Sequence, residues 1–128
     1  MVSLFIKRYY RSIIIGLLIV WLSLSGGQSL VPGDFLKIPY VDKIGHFIMY
    51  SLFSGILLLD SCLWQSSGTV RYVVLVFPVV FGALMEVLQY LLTNSRKAEA
   101  LDLAADILGV GAGVVSALAV RRILKEIR

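Results

Sequence analysis

The sequence predicts an all-α protein, a four-helix transmembrane bundle in one domain covering residues 1–128. Three observations carry that expectation. The chain is 59% apolar and 16% charged, with a mean hydropathy of +0.89. Soluble domains run about 45–50% apolar and about 25% charged. Long charge-poor runs alternate with short polar stretches, and a chain of 128 residues has too small an interior to hide them all. The charges are also placed unevenly: most sit at the ends of the apolar runs, where they would flank lipid. That placement argues against a nucleic-acid partner despite the net charge of +4. Cys62 is the single cysteine, so the chain has no internal disulfide and no paired-cysteine metal or redox motif.

Helix 1 is expected from about Arg11 to Leu30. No residue from Ser12 to Gly33 is charged, a run of 22 positions, and about 20 apolar residues span a bilayer core as a helix. Lys7, Arg8 and Arg11 precede it in the manner of a signal peptide, but the apolar run outlasts the usual signal length, so the segment reads as retained. Pro32-Gly33 ends it. Helix 2 is expected from Asp42 to about Trp64. Asp42, His46 and Tyr50 recur every four residues and share a face, and Gly45 beside them is expected to admit a neighbouring helix.

Asp60 to Arg71 reads as a polar turn. Helix 3 is expected from about Val70 to Leu92, with Gly82, Glu86, Gln89 and Tyr90 on one side and Pro78 bending it. Thr93 to Ala100, with Arg96, Lys97 and Glu99, reads as a loop or short interfacial segment. Helix 4 is expected from about Leu101 to Val120. Asp102, Asp106, Gly109 and Gly113 line one stripe of it, and Gly109 and Gly113 belong to a small-residue ladder suited to close helix packing in lipid. Arg121 to Arg128 reads as a basic amphipathic tail.

Lys and Arg number eight at the termini and the 60–71 turn and four in the other two loops. The positive-inside rule then puts both termini of a multi-pass plasma-membrane protein in the cytoplasm. The outer ends of helices 2, 3 and 4 carry the ionisable residues, which would form one outward-facing polar pocket: Asp42, Lys43, His46, Tyr50, Glu86, Gln89, Arg96, Asp102 and Asp106. Ionisable groups at membrane depth are costly unless paired, so such a pocket is a candidate site.

The pocket reads as an ion-pair and hydrogen-bond network, in which Glu86 pairs with Arg96 or Lys43 and His46 with a carboxylate. No cofactor and no metal are assigned, although the same residues have the chemistry of hard-metal ligands. Glu86 or His46 has the chemistry of a general acid or base, but no nucleophile is evident. Membrane lipid is the expected partner, and neither an oligomeric state nor an enzymatic activity follows from the residues.

D-K-x-x-H-F-x-x-Y at 42–50, E-x-x-Q at 86–89 and R-x5-D-x3-D-x2-G-x3-G from Arg96 to Gly113 together resemble the VanZ-like family. The resemblance implies a four-helix integral membrane protein with a link, in some members, to reduced susceptibility to glycopeptide antibiotics such as teicoplanin. Asp106 stands where that pattern usually carries Asn. The functional expectation is a pocket that binds, or blocks access to, a lipid-linked or peptidoglycan-related head group. A membrane hydrolase or transferase on a lipid head group, a small proton-coupled exporter, and a scaffold subunit are the alternatives.

Overall fold

A computed structural model describes residues 1–25, 33–34, 38–61, 67–92 and 99–127. These residues form four helices: α1 (Val2–Leu24), α2 (Val41–Asp60), α3 (Gly68–Leu92) and α4 (Ala100–Glu126). No strand occurs among the described residues, so the expected all-α bundle is what the chain forms.

The pairwise contacts fix an up-down-up-down arrangement. Arg8 and Arg11, in the first half of α1, meet Asp60, the last residue of α2, and the end of α1 lies at the opposite end of the bundle, so these two helices run antiparallel. Gln89 near the end of α3 donates to the Ser23 carbonyl near the end of α1, so α1 and α3 run together. His46 meets Asp106, and Ser54 donates to the Val110 carbonyl, so α2 and α4 run together. The starts of α2 and α4 and the ends of α1 and α3 therefore share one end of the bundle.

The tightest packing lies between α2 and α4. A Cβ at Gly109 would run into the Phe47 carbonyl oxygen, and one at Gly113 into Ser54 Oγ and the Ser51 carbonyl. Only glycine lets the two backbones come this close, which is the use expected of the small-residue ladder. Gly45 does not share that role: a Cβ there meets nothing among the described residues. Ile19, Tyr50, Phe53, Met85 and Val110 form the main apolar core, and Leu58, Val74 and Ala117 a smaller one.

Large apolar side chains cover the outside of the helices, among them Leu17, Trp21, Ile48, Leu52, Val80, Val87, Leu108 and Val115. Such a surface suits lipid. Helices α2, α3 and α4 are each long and apolar enough to cross a membrane, which makes this a membrane protein.

Two helices extend past their expected limits. Helix α1 begins at Val2 rather than near Arg11, and α4 runs on to Glu126, taking in the basic tail. Lys and Arg are good helix formers, and no Gly or Pro interrupts either extension. Helices α2 and α3 begin at Val41 and Gly68, close to expectation. Helix α2 ends at Asp60 rather than near Trp64, and residues 62–66 lie outside the described set. Asp60, expected in a turn, is buried at 3% exposure.

Helix α2 follows Tyr40, whose φ of 62° lies in the left-handed region that a bulky residue rarely adopts. Pro78 lies within α3 and is buried.

Candidate functional site

The polar residues at the shared end form two layers. The outer one is centred on Lys43. Its Nζ lies 2.8 Å from Asp42 Oδ2, 2.6 Å from Glu99 Oε2 and 2.9 Å from Asp102 Oδ1. An ammonium has three N–H donors and no acceptor; here it donates to Asp42 and Glu99, while Asp102 Oδ1 stands beside it as an ion-pair neighbour without a hydrogen bond. Asp42 and Glu99 are substantially exposed, whereas Asp102 is buried at 7% exposure.

The inner layer begins one helical turn further along α2 and α4, about 6 Å deeper at 1.5 Å per residue. It consists of His46, Glu86 and Asp106, one residue from each of α2, α3 and α4, and all three are buried. His46 Nδ1 lies 2.9 Å from Asp106 Oδ1 and 3.9 Å from Glu86 Oε1. One ligating atom from each residue falls within 4.8 Å of the other two. Three buried oxygens here have no hydrogen-bond partner: Glu86 Oε1, Asp106 Oδ2 and the Tyr50 hydroxyl.

Helical periodicity builds this arrangement. The spacing 42-46-50 aligns Asp42, His46 and Tyr50 on α2, and the spacing 102-106 aligns the two aspartates on α4. The Tyr50 ring lies parallel to the His46 ring, with centroids 6.4 Å apart. Gly82 on α3 makes room for both Tyr50 and Asp106. A Cβ there would stand 2.8 Å from Asp106 Oδ2 and 3.2 Å from Tyr50 Cε1.

Seven expected pocket residues meet in these layers: Asp42, Lys43, His46, Tyr50, Glu86, Asp102 and Asp106. Gln89 is buried and reaches α1 through its bond to the Ser23 carbonyl. Arg96 lies outside the described residues, as does Lys97. Tyr90, expected beside Glu86 and Gln89, is 63% exposed and faces outward. The expected pairing of His46 with a carboxylate is present. Among the described residues, the ion pairs of Lys43 run to Asp42, Glu99 and Asp102.

Two features escaped the sequence reading. Glu99 acts as a ligand of Lys43 rather than as an ordinary loop residue. At the opposite end of the bundle, Asp60 Oδ1 accepts from Arg11 Nε at 2.8 Å and from Arg11 Nη2 at 2.5 Å. Asp60 Oδ2 accepts from the Ser12 hydroxyl at 2.7 Å and the Ser12 amide at 3.2 Å. Arg8 donates to the Asp60 and Ser61 carbonyls. This clasp ties α1 to α2 and leaves the carboxylate fully partnered.

The two ends therefore differ in kind. At the clasp the single carboxylate is paired with a guanidinium and both its oxygens accept hydrogen bonds. In the two layers, Asp42, Glu86, Glu99, Asp102 and Asp106 face Lys43 and His46, so negative charge is in excess among the described residues even with His46 protonated. Buried charge of one sign is costly and calls for a proton or a cation. Fold and site together define a membrane protein with a buried acidic cluster at one end of a four-helix bundle. No family model matches the chain, and neither a curated protein nor a solved structure matches it.

Proposed function

We propose that this protein is a VanZ-like head-group-binding protein of the plasma membrane. Its acidic end takes the polar part of a lipid-linked or peptidoglycan-related molecule at the outer leaflet, and through it the protein contributes to glycopeptide tolerance. The observation that carries the reading is the meeting of seven polar residues from three helices at one end of the bundle. Asp42 and Asp60 are 18 residues apart on α2, about 27 Å along a helix, against a hydrocarbon core of about 30 Å. That length supports reading the Lys43 layer as lying at head-group level.

The excess of carboxylates favours an amine-bearing head group. Arg96, between α3 and α4 in sequence, is the residue we assign to a phosphate. Lys7, Arg8, Arg11, Arg71, Arg121, Arg122 and Lys125 all belong to the other end of the bundle, which supports cytoplasmic termini by the positive-inside rule.

The test uses purified protein in nanodiscs and a labelled, amine-bearing lipid-linked precursor, with labelled phosphatidylglycerol as control. The wild type is expected to retain the precursor selectively, and Asp102→Asn or Asp42→Asn to weaken retention about tenfold, the loss of one charged contact. Equal retention of both lipids, or no change in either variant, contradicts the proposal.

One observation favours a second reading. The His46–Asp106 pair has the geometry of an imidazole oriented by a carboxylate, as in general-base sites. Release of product from the same labelled precursor, abolished in His46→Gln, would make the protein a membrane hydrolase or transferase. Retention without turnover supports binding alone.

A further inference from the structure

We infer that His46, Glu86 and Asp106 form a binding site for a first-row divalent cation, manganese or zinc. This goes beyond head-group binding and does not depend on it, because the site is complete within the chain.

Among the described residues, two acidic groupings occur at this end of the bundle, and one of them is already occupied by a cation. In the outer grouping, Asp42, Glu99 and Asp102 already surround the Lys43 ammonium. In the inner one, no Lys or Arg is in contact among the described residues, and two carboxylates share buried space with one imidazole. Glu86 is 7% exposed and Asp106 is fully buried. Glu86 Oε1 and Asp106 Oδ2 both lack a hydrogen-bond partner there. Buried carboxylate oxygens without donors carry the full cost of desolvation. A divalent ion held by Glu86 Oε1 and Asp106 Oδ1 gives the first of these its missing partner and neutralises both carboxylates. With neutral His46, two carboxylates and one dication make the inner layer electrically neutral.

The geometry fits coordination. Metal–nitrogen and metal–oxygen bonds of about 2.0–2.2 Å put neighbouring ligand atoms about 3.0–3.5 Å apart. The separations of 2.9 Å between His46 Nδ1 and Asp106 Oδ1 and 3.9 Å between His46 Nδ1 and Glu86 Oε1 bracket that range. A small rotation of Glu86 closes the larger one. On binding, the Nδ1 lone pair goes to the metal, and any proton held between Nδ1 and Asp106 is released.

One imidazole with two carboxylates, and no thiolate, suits manganese or zinc. Three protein ligands from three helices leave at least one coordination position open. Each helix contributes one ligand, so the ion would also join α2, α3 and α4 at the level where their polar faces meet.

The test uses untagged full-length protein in phosphatidylcholine nanodiscs, stripped with chelator and titrated with MnCl2 under electron paramagnetic resonance. The expected result is one bound Mn2+ per chain with a nitrogen hyperfine coupling. The sequence contains a single histidine, so an imidazole coupling can come only from His46. Glu86→Gln and Asp106→Asn are each expected to raise the Kd for Mn2+ at least tenfold, and His46→Gln to abolish the nitrogen coupling. Competition by ZnCl2 should displace the Mn2+ signal. Wild-type protein that holds no Mn2+ and no Zn2+, or holds Mn2+ without nitrogen coupling, overturns the site. The wild-type spectrum decides the matter even where a variant fails to fold. Because no lipid-linked precursor is present, failure here leaves the binding reading intact, and the reverse also holds.

Discussion

Gly82 sets the limit on what can stand beside Asp106. A methyl group there would lie 2.8 Å from Asp106 Oδ2, too close without movement of the carboxylate or of Tyr50. Gly82→Ala is therefore expected to lower thermal stability, in line with overpacking costs of about 1–3 kcal/mol. It should also weaken Mn2+ binding, since Asp106 must shift. A variant with wild-type stability and wild-type Mn2+ affinity would show that the carboxylate does not stand where described. The residues that sequence brought to light here are those with helical spacing. Asp42, His46 and Tyr50 align on α2, and Asp102 and Asp106 on α4, because a repeat of four fixes a face before any packing is known. Glu99 was not legible as a Lys43 partner. It precedes the first residue of α4, and its partner lies 56 positions away.

Between elements, the α2–α4 contact and the α1–α2 clasp make separate predictions. Gly109→Ala puts a Cβ against the Phe47 carbonyl, whereas a Cβ at Gly111 meets nothing. Unfolding in a denaturing detergent titration should show Gly109→Ala destabilised and Gly111→Ala unchanged or slightly stabilised by its better helix propensity. Equal effects would place the close approach elsewhere. At the clasp, Arg11→Ala strips the buried Asp60 carboxylate of its guanidinium partner and leaves the two Ser12 donors. Breaking one side of a buried pair costs more than replacing both. Arg11→Ala is therefore expected to be more destabilised than the Arg11→Ala/Asp60→Asn double variant; the opposite order removes the clasp from the account. Local pattern could not reveal this contact. Asp60 adjoins the polar stretch Q-S-S-G-T and reads as a turn, and only the packing of α1 against α2 buries it. The early start of α1 was missed for a related reason. Lys7, Arg8 and Arg11 read as a boundary, although charge does not stop a helix that projects beyond the apolar layer.

Across the whole molecule, the two ends of the bundle carry opposite characters. One gathers Lys43 with Asp42, Glu86, Glu99, Asp102 and Asp106; the other carries the remaining described Lys and Arg residues, with Arg8 and Arg11 clasped to the end of α2 at Asp60. The all-helical architecture was legible from composition and from the alternation of apolar runs with short polar ones. The register of the helices was not, because it depends on where small residues on α4 meet the backbone of α2. The proposed orientation predicts that, in a Cys62→Ser background, Ser3→Cys and Lys125→Cys are shielded from a membrane-impermeant thiol reagent in intact cells. Asp34→Cys should be labelled. Labelling of the terminal positions but not of position 34 would invert the protein.

The central claim is that ionisable side chains from separate helices meet at one buried level. It is tested most directly by a double-mutant cycle on unfolding free energy for His46→Ala, Asp106→Ala and the double variant. The contact at 2.9 Å predicts a coupling of about 1 kcal/mol or more, as for residues that touch within one network. Additive losses, with coupling indistinguishable from zero, would contradict it.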